Sequence, residues 1–365
     1  MIVRLEDVCF AESSSLKQSD LIKVKDGYPV YGASGFIANI DKYQQEKPYV
    51  SIVKDGAGVG RVQLCPGQSS VIGTMQYIIP KENVLPEYLY YVTTYMHLEK
   101  YYTGATIPHI YFKNYKKEKF NLDPIEKQKN IVKILDGYRK IIELRQEQLQ
   151  KYDDLIKSRF VEIFGELSSN PYGWETFTMG ECFDITSSKR ILKSEWRAQG
   201  IPFLRVRDIV QLATTGQMEN EYFVSEEFYK SLSDYDGVPQ RGDILVSATS
   251  TLGKCHVVGE EERYYFKDAD VLRFRAKKKI NPIFFVELMK EHYIEEQISK
   301  TLGITTVAHF TIKAAKNINM RCPDIELQNE FANFVAQVDK SKVAIQAALD
   351  KTQLLFDSLM QEYFG

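Results

Sequence analysis

Basic side chains are concentrated in one part of a chain that is otherwise nearly neutral. The chain has 365 residues and a formal net charge of −2. Residues 186–207 nevertheless hold a marked excess of basic side chains and a single acid, Glu195; the basic residues are Lys189, Arg190, Lys193, Arg197, Arg205 and Arg207. Such a local excess suits contacts to phosphate groups, and arginine can also read the edge of guanine. A solvated charged surface is the alternative interpretation.

Other segments carry side chains of the same kind. A second basic cluster runs through residues 273–279 and includes Arg273, and a third, residues 113–119, begins at Lys113. Thr249 and Lys254 lie in a polar stretch whose hydroxyls could donate to bases. Two further loops match each other in sequence, and their candidate contact residues are Thr106 and His109 in one and Thr305, Thr306 and His309 in the other.

Several short motifs resemble those of enzymes but lack features that the chemistry requires. Asn170-Pro171-Tyr172 is similar to the catalytic loop of amino-methyltransferases, but it lacks the second proline, and a linker turn is favoured. Residues 56–60 are rich in glycine but lead into a strand-like run, which favours a hairpin over a phosphate cradle. The five histidines and five cysteines show no ligand spacing. The sequence therefore predicts no catalytic residues and no metal site.

The element that must position these segments is a long helix over residues 123–165. Asp123 suits the N-cap, Pro124 the first helical position, and Gly165 the end. Apolar residues recur at alternating steps of four and three, as in a coiled-coil seam; they are Ile131, Leu135, Tyr138, Ile142, Leu149, Ile156 and Ile163. Arg145 and Arg159 interrupt this stripe, either to fix the register against carboxylates or to extend along its edge.

The partner for this helix lies in the same chain. Residues 325–365 align with residues 125–165 without a gap, and 12 of the 41 positions are identical, where chance would give roughly two or three. The seam repeats as Phe331, Val335, Val338, Ile345, Leu349, Phe356 and Leu359, with Lys342 and Thr352 as its polar interruptions. This internal duplication predicts an antiparallel helical pair.

The segments ahead of the two helices follow one plan. Strands are predicted at 48–53, 60–64 and 76–79 in the first and at 243–247, 255–258 and 271–275 in the second. A helix is predicted at 86–104 in the first segment and at 282–303, capped by Asn281, in the second. We therefore predict an α+β fold in which two globular α/β domains are joined by two long helices packed as an antiparallel coiled coil, with pseudo-twofold symmetry. The predicted boundaries are 1–122, 123–165, 166–322 and 323–365.

The order of these features resembles the specificity subunit of Type I restriction–modification systems over essentially the whole chain. The likeness rests on the start of each long helix, Ile125–Gln128 and Ile325–Gln328, on their similar ends, and on the segment 170–185. It implies two target-recognition domains that read a bipartite, non-palindromic duplex, one half-site each, with the helices as spacers. A duplicated coiled-coil scaffold that binds only proteins is the alternative.

The resemblance also implies partners. Two modification subunits that methylate adenine are expected, with restriction (motor–nuclease) subunits joining them. S-adenosylmethionine, ATP and Mg are expected on those partners and not on this chain, which is expected to be non-catalytic. No apolar run approaches the ~18 residues of a membrane span, and no secretory signal is recognised at the amino terminus, so a cytoplasmic protein with reduced thiols is expected.

Overall fold

The structure is a computed structural model that describes the chain except for residues 23, 105–107, 220, 234–237 and 302–308. It forms two compact units, the first made of Met1–Gln148 with Ile345–Gly365 and the second of Leu149–Ala344. Each unit combines one α/β segment with part of both long helices. The four predicted domain boundaries stay a prediction, since the compact units divide the helices between them.

The first unit alternates short strands with short helices before the first long helix. Its strands are β1 (Ile2–Arg4), β2 (Cys9–Ser13), β3 (Tyr28–Gly32), β4 (Gly35–Ile40), β5 (Tyr49–Val53), β6 (Val62–Cys65), β7 (Ser70–Val71), β8 (Met75–Pro80) and β9 (Lys119–Asn121). Its helices are α1 (Leu5–Val8), α2 (Pro86–Tyr95), α3 (Phe112–Tyr115) and the start of α4 (Ile125–Phe164), with 3-10 turns at Gln18–Asp20 and Leu98–Tyr101.

The second unit repeats the pattern with additional helices. Its strands are β10 (Glu175–Thr178), β11 (Phe183–Ser187), β12 (Ile201–Leu204), β13 (Phe223–Val224), β14 (Ile244–Ser247), β15 (Cys255–Val257), β16 (Tyr265–Phe266), β17 (Val271–Ala276) and β18 (Asn319–Cys322). Its helices are α5 (Met179–Cys182), α6 (Val206–Thr215), α7 (Glu226–Ser233), α8 (Pro282–Leu288), α9 (His292–Thr301), α10 (Ile312–Lys316) and the start of α11 (Ile325–Phe364), with a 3-10 turn at Lys193–Glu195.

The two units share one sheet topology. The antiparallel four-stranded sheet has the order β2-β8-β5-β6 in the first unit and β11-β17-β14-β15 in the second. In each three-stranded sheet the middle strand, β3 or β12, has one antiparallel and one parallel neighbour. A two-stranded pair, β1-β9 or β10-β18, closes each segment. The predicted α+β class is therefore confirmed, and the two units repeat one topology, as the internal duplication predicts.

Hydrophobic patterning explains why the predicted strands form. β5 and β14 lie inside their four-stranded sheets, and every residue of both is buried. Runs of β-branched and aromatic residues bounded by turns are typical of such strands. The glycine-rich residues 56–60 form the predicted hairpin between β5 and β6. Gly60 has a φ of +87°, and a Cβ there would lie 2.5 Å from the backbone nitrogen of Glu99, so this turn requires glycine.

Two of the predicted helices are shorter than expected. The helix predicted at 86–104 ends at Tyr95, because His97 adopts a left-handed conformation with φ of 49° before the 3-10 turn. The helix predicted at 282–303 breaks between Leu288 and His292 into α8 and α9. The end predicted for it at Gly303 lies outside the described residues. The cap is as predicted, since the Asn281 side chain accepts hydrogen bonds from the backbone N–H groups of Ile283 and Phe284.

A buried glutamine explains the motif that opens each long helix. Gln128 donates to the carbonyl oxygens of Asn83 and Asp123, at 3.0 and 2.7 Å, and accepts from the Leu85 N–H at 2.9 Å. Gln328 donates to the Pro323 carbonyl at 2.7 Å and accepts from the Asn281 N–H at 2.9 Å. Because Leu85 and Asn281 are the N-caps of α2 and α8, each glutamine ties a long helix to its neighbour.

The start of α4 differs in detail from the prediction. The helix begins at Ile125, so Pro124 precedes it. The Asp123 carboxylate, expected to cap the helix, instead accepts from the Tyr88 hydroxyl at 3.3 Å and pairs with Lys127 at 2.9 Å. Tertiary contacts with α2 therefore take the place of the expected cap.

Opposite ends of the two long helices pack together in each unit. In the first unit Ile131 and Leu135 of α4 share a core with Met360 and Phe364 of α11. In the second, the Phe164 and Phe331 rings lie 5.5 Å apart. The helices are therefore antiparallel, as predicted. Each residue proposed for the seam is buried or partly buried, and Phe160, Phe164 and Met360 extend the apolar contact beyond the predicted stripe.

The polar residues that interrupt the seam form contacts between the helices. In the first unit Arg145 donates to the Thr352 hydroxyl and to the Ala348 carbonyl. In the second, Arg159 pairs with Glu330 at 2.9 Å and Lys342 with Asp153 at 2.6 Å. These contacts favour the interpretation in which the charged residues fix the helical register. Within the described residues, no helix is both long enough and apolar enough to cross a membrane.

Candidate nucleic-acid interface

Loops of the second unit converge at one end of its four-stranded sheet. β11 and β14 end there, and β17 begins there. The Ala269 N–H donates to the Ser187 hydroxyl at 2.8 Å, and the Ala248 N–H donates to the Asp270 carbonyl at 2.8 Å. We call this end the reading edge of the second unit. It brings together residues that are more than 80 positions apart in the sequence.

His309 joins this edge. The N–H of its neighbour Phe310 donates to the Ala248 carbonyl at 2.8 Å, which places His309 beside Thr249. The histidine helps to line an open cavity of about 460 Å³, whose other lining residues are Ser187, Ser188, Asp268, Ala269, Leu272, Thr311, Ile312 and Lys313. The His309 Nδ1 atom is buried and has no hydrogen-bond partner within the described part of the chain. Thr305 and Thr306, predicted beside it, lie outside the described residues.

The first unit places His109 in the same way. The Ile110 N–H donates to the Lys54 carbonyl at 2.9 Å, and His109 lies beside Asp55, just after β5. β5 occupies the position in its sheet that β14 occupies in the second unit. Thr106 lies outside the described residues. The two histidines thus occupy equivalent places, although the residues beside them differ.

Some of the predicted basic residues are exposed and have no carboxylate partner within the described part of the chain. Lys189 and Arg190 lie beyond the end of β11, after one intervening residue, and Lys254 ends the turn between β14 and β15. In the first unit, Lys113 is exposed beside Tyr111, with its Nζ 5.2 Å from the ring centre. Across the described ranges none of these four side chains forms an ion pair. They can therefore offer an unneutralised positive charge to phosphate.

Arg205 and Arg207 are neutralised within the second unit. Arg207 pairs with Glu221 at 2.9 Å and with Asp208 at 3.3 Å. Arg205 lies 3.4 Å from the Asp208 carboxylate and 3.5 Å from that of Glu221, and its guanidinium group is 4.4 Å from the centre of the Tyr222 ring. The hydrogen bond from Arg207 lowers the pKa of Glu221. Their role in DNA contact stays a prediction, but contact would compete with these carboxylates.

Arg273 lies within β17, and its side chain is buried against one face of the four-stranded sheet. Its side chain is 4% exposed, and it contacts Asp184 at 3.5 Å and Asp243 at 4.0 Å. Arg275 pairs with Asp243 at 2.7 Å. Buried charges need such partners, so the position of Arg273 is that of a structural ion pair. Contact with a duplex would require it to leave that network.

The sequence did not reveal Ser187, Ser188 or Asp268 as neighbours of His309. Only the strand pairing brings them together, and no local motif marks it. The described residues also contain no group of three or more His, Cys, Asp and Glu side chains that could hold a metal ion.

The chain was compared with known protein families and with curated proteins. Residues 1–151 and 171–353 match the family of the Type I restriction modification DNA specificity domain. The chain belongs to this family. It is 24% identical over 270 residues to a type I restriction enzyme specificity subunit of Haemophilus influenzae, covering 69% of this chain and 65% of that one. It is also 24% identical over 317 residues to the MjaVIII specificity subunit of Methanocaldococcus jannaschii, covering 80% of this chain and 72% of the relative.

Solved structures of this family share the fold. The S subunit of a Type I restriction–modification system from M. genitalium has a TM-score of 0.62 and 16% identity, over 100% of this chain and 96% of that one. A chain from a structural study of the assembly and conformational transition of the type I system has a TM-score of 0.54 and 19% identity, with the same coverage. The fold described above is therefore shared with the S subunit of a Type I restriction–modification system.

Proposed function

We propose that this chain is the DNA-recognition subunit of a type I restriction–modification complex. It binds double-stranded DNA at a bipartite, non-palindromic target, and each unit reads one half-site. The observation that carries this proposal is the repeated placement of His109 and His309 in two units of one topology. Because the residues around the two histidines differ, the two half-sites differ as well.

The long helices set the separation of the half-sites. α4 and α11 each span 40 residues, or about 60 Å. Polar contacts between them, such as Arg159 with Glu330, fix how they pair. A spacer of fixed length is the physical basis for two half-sites at a fixed distance.

The outer faces of the same helices bind the modification subunits. In the first unit α4 leaves Ile134, Ile141 and Leu144 exposed, and in the second unit Leu155 of α4 and Val343 of α11 are exposed. Ile134, Ile141 and Leu144 recur at steps of seven and three residues and so lie on one face of α4, and a contiguous exposed apolar patch indicates a protein interface. Two adenine-methylating subunits dock there, and restriction (motor–nuclease) subunits join the complex. S-adenosylmethionine, ATP and Mg are bound by these partners in the cytoplasm, and this chain is non-catalytic.

The proposal is tested by DNA retardation with the chain and its modification subunit together. A library of duplexes with randomised sequence is offered, and the retained fraction is sequenced. Retention of a bipartite motif supports the proposal. Stable assembly with the modification subunit and equal retention of all duplexes would favour the alternative, a duplicated coiled-coil scaffold that binds only proteins.

A further inference from the structure

Two cysteine thiols lie side by side at the base of the second unit. Cys182 ends α5 and is fully buried, whereas Cys322 ends β18 and is partly exposed. Their Sγ atoms are 3.8 Å apart. Cys322 stands three residues before the start of α11. The pair therefore joins the beginning of the second α/β segment to its end.

The first unit has an apolar pair at the equivalent place. β1-β9 corresponds to β10-β18, and α1 corresponds to α5. Val8, which ends α1, is the counterpart of Cys182, and Leu122, which follows β9, is the counterpart of Cys322. Val8 and Leu122 are both buried in one hydrophobic core. The fold is thus built in the first unit without thiols, so the two cysteines are not a requirement of the topology.

The surroundings of Cys182 favour its thiolate. The hydrogen bond from Cys322 holds the pKa of Cys182 below its usual range, and Lys278 and Lys277 contribute, whereas burial opposes the shift. The pKa of Cys322 is raised by the same hydrogen bond and by burial. The attacking sulfur is therefore Cys182, and Cys322 is the neighbouring thiol that can complete a bond.

The other thiols are unsuited to the same reaction. Burial raises the pKa of Cys9 and of Cys255 to about 12, and it also raises the pKa of Cys65. A thiol held in its protonated form is a poor nucleophile. Reactivity toward an oxidant should therefore be confined to Cys182 and Cys322.

We propose that Cys182 and Cys322 form a reversible dithiol–disulfide site that small hydroperoxides oxidise. The Cys182 thiolate attacks the outer oxygen of the hydroperoxide, which breaks the O–O bond, forms a sulfenic acid and releases hydroxide or alkoxide. The Cys322 thiol then attacks the sulfenic sulfur, the S–S bond forms, and water leaves. Cys322 is partly exposed and its sulfur lies 3.8 Å from that of Cys182, so it marks the side from which a hydroperoxide approaches the pair. Closing to a bond length of ~2.05 Å needs a movement of about 2 Å.

The disulfide would tie the two ends of the second α/β segment together. It links α5 to β18 across 140 residues, and a bond that closes a long loop restricts the unfolded chain strongly. The first unit, with Val8 and Leu122, has no such bond. Oxidation therefore acts on one unit alone, and this inference does not depend on the proposed function.

The site is tested on the intact chain. The protein is treated with hydrogen peroxide, denatured in acid, alkylated and mapped by mass spectrometry, with a dithiothreitol-treated portion alongside. We expect the number of alkylated cysteines to fall from the five in the sequence to three, a linked peptide containing residues 182 and 322, and full recovery with dithiothreitol. Equal oxidation of Cys9, Cys65 or Cys255, or absence of the linked peptide, would overturn the proposal.

Single substitutions at Cys182 and Cys322 distinguish a reaction between these two cysteines from general oxidation of thiols. Cys182→Val and Cys322→Leu copy the first unit's residues, so each should fold. Under peroxide the first variant should keep all four of its thiols, and the second should lose only the Cys182 thiol, as a sulfenic acid that forms no linked peptide. In the native chain, oxidation should slow amide hydrogen exchange in β10 and β18 and leave β1 and β9 unchanged. Loss of thiols to the same extent in either single variant would show that the two cysteines do not react with each other.

Discussion

The two units pair their strands alike but connect them differently. In the first unit a two-residue turn joins β3 to β4, whereas in the second unit α6 stands between β12 and β13 and α7 follows β13. The four-stranded sheets that form each core have the same order. Variation is thus placed in exposed connections, where it leaves the buried pairing intact. Such a distribution suits the proposed function, in which the two units read different half-sites.

The contacts at the base of each unit show the same division. Gln128 and Gln328 are identical and make closely similar buried hydrogen bonds, and His109 and His309 lie at equivalent edges. By contrast, the second unit has Cys182 and Cys322 where the first has Val8 and Leu122. The glutamines that bind each long helix to its α/β segment are therefore identical in the two units, whereas the thiol pair formed by Cys182 and Cys322 belongs to the second unit.

Lengthening one long helix should have the largest effect. Seven residues inserted into α4 near residue 148 add about 10 Å and shift its pairing with α11. We expect recognition of the native target to be lost, or its spacing to change, as measured by methylation of targets with varied spacers. The same seven residues added after Gly365 serve as the control. Native spacing in the α4 variant would contradict the spacer role.

Removing the buried glutamines should destabilise the two units separately. Gln128→Ala leaves the Leu85 N–H and the Asn83 and Asp123 carbonyls without their partner, and a loss of about 2–3 kcal/mol is expected. Hydrogen exchange should rise in the first unit only, and Gln328→Ala should affect the second unit only. Gln146→Ala and Gln346→Ala, at exposed repeated positions, should leave stability unchanged. A global response to either buried substitution would contradict the division into two units.

Basic residues of the second unit should differ in their effect on DNA binding. Lys189→Ala with Arg190→Ala removes two charges that have no carboxylate partner among the described residues, and we expect roughly tenfold weaker binding of the assembled complex with a smaller salt dependence. Arg205→Ala with Arg207→Ala should weaken binding less, because Asp208 and Glu221 already neutralise these arginines. Filter binding over a salt series measures both. Unchanged affinity in both variants would show that these four residues do not contact DNA.

A half-buried carboxyl, Glu291, should make the stability of the second unit depend on pH. Burial raises the pKa of Glu291, nearby Glu166, Glu287 and Glu295 add to the effect, and Lys157 opposes it. A raised pKa in the folded state stabilises the fold at low pH, and that contribution is lost as pH rises through the folded-state pKa. Glu291→Gln should therefore stabilise the second unit at pH 7 by less than about 1 kcal/mol and have no effect near pH 4.

Denaturation at several pH values measures this difference. Glu82→Gln, an exposed carboxyl of the first unit, is the control. An equal effect of Glu291→Gln at pH 4 and pH 7 would show that the carboxyl does not titrate differently in the folded chain.

Much of the architecture could be predicted from repetition in the sequence. The 200-residue offset and the seam periodicity gave both long helices and their antiparallel pairing, because a long apolar stripe requires a partner. Strands such as β5 and β14 were recognisable because a buried strand is an apolar run. The breaks after Tyr95 and Leu288 were missed, because apolar residues continue past both and no proline or glycine marks either position.

The candidate site was predictable only in part. His109 and His309 could be matched because the loops around them repeat. Asp208 directly follows Arg207, so part of the neutralisation of the arginines had a local signal, whereas Glu221 is far from both in sequence and only the fold brings it within reach. In the sequence Arg273 seemed available for DNA contact because it belongs to a basic run. Strand alternation instead places its side chain on a buried face of the sheet, next to Asp243.

The central claim is that two unlike units read two unlike half-sites at a fixed distance. Mapping of methylated adenines across a genome that carries this chain and its modification subunit tests it most directly. The proposal predicts a motif of two different half-sites with one constant spacer, and loss of that motif when the gene for this chain is deleted. A single continuous motif, a palindrome, or methylation that persists without this chain would contradict it.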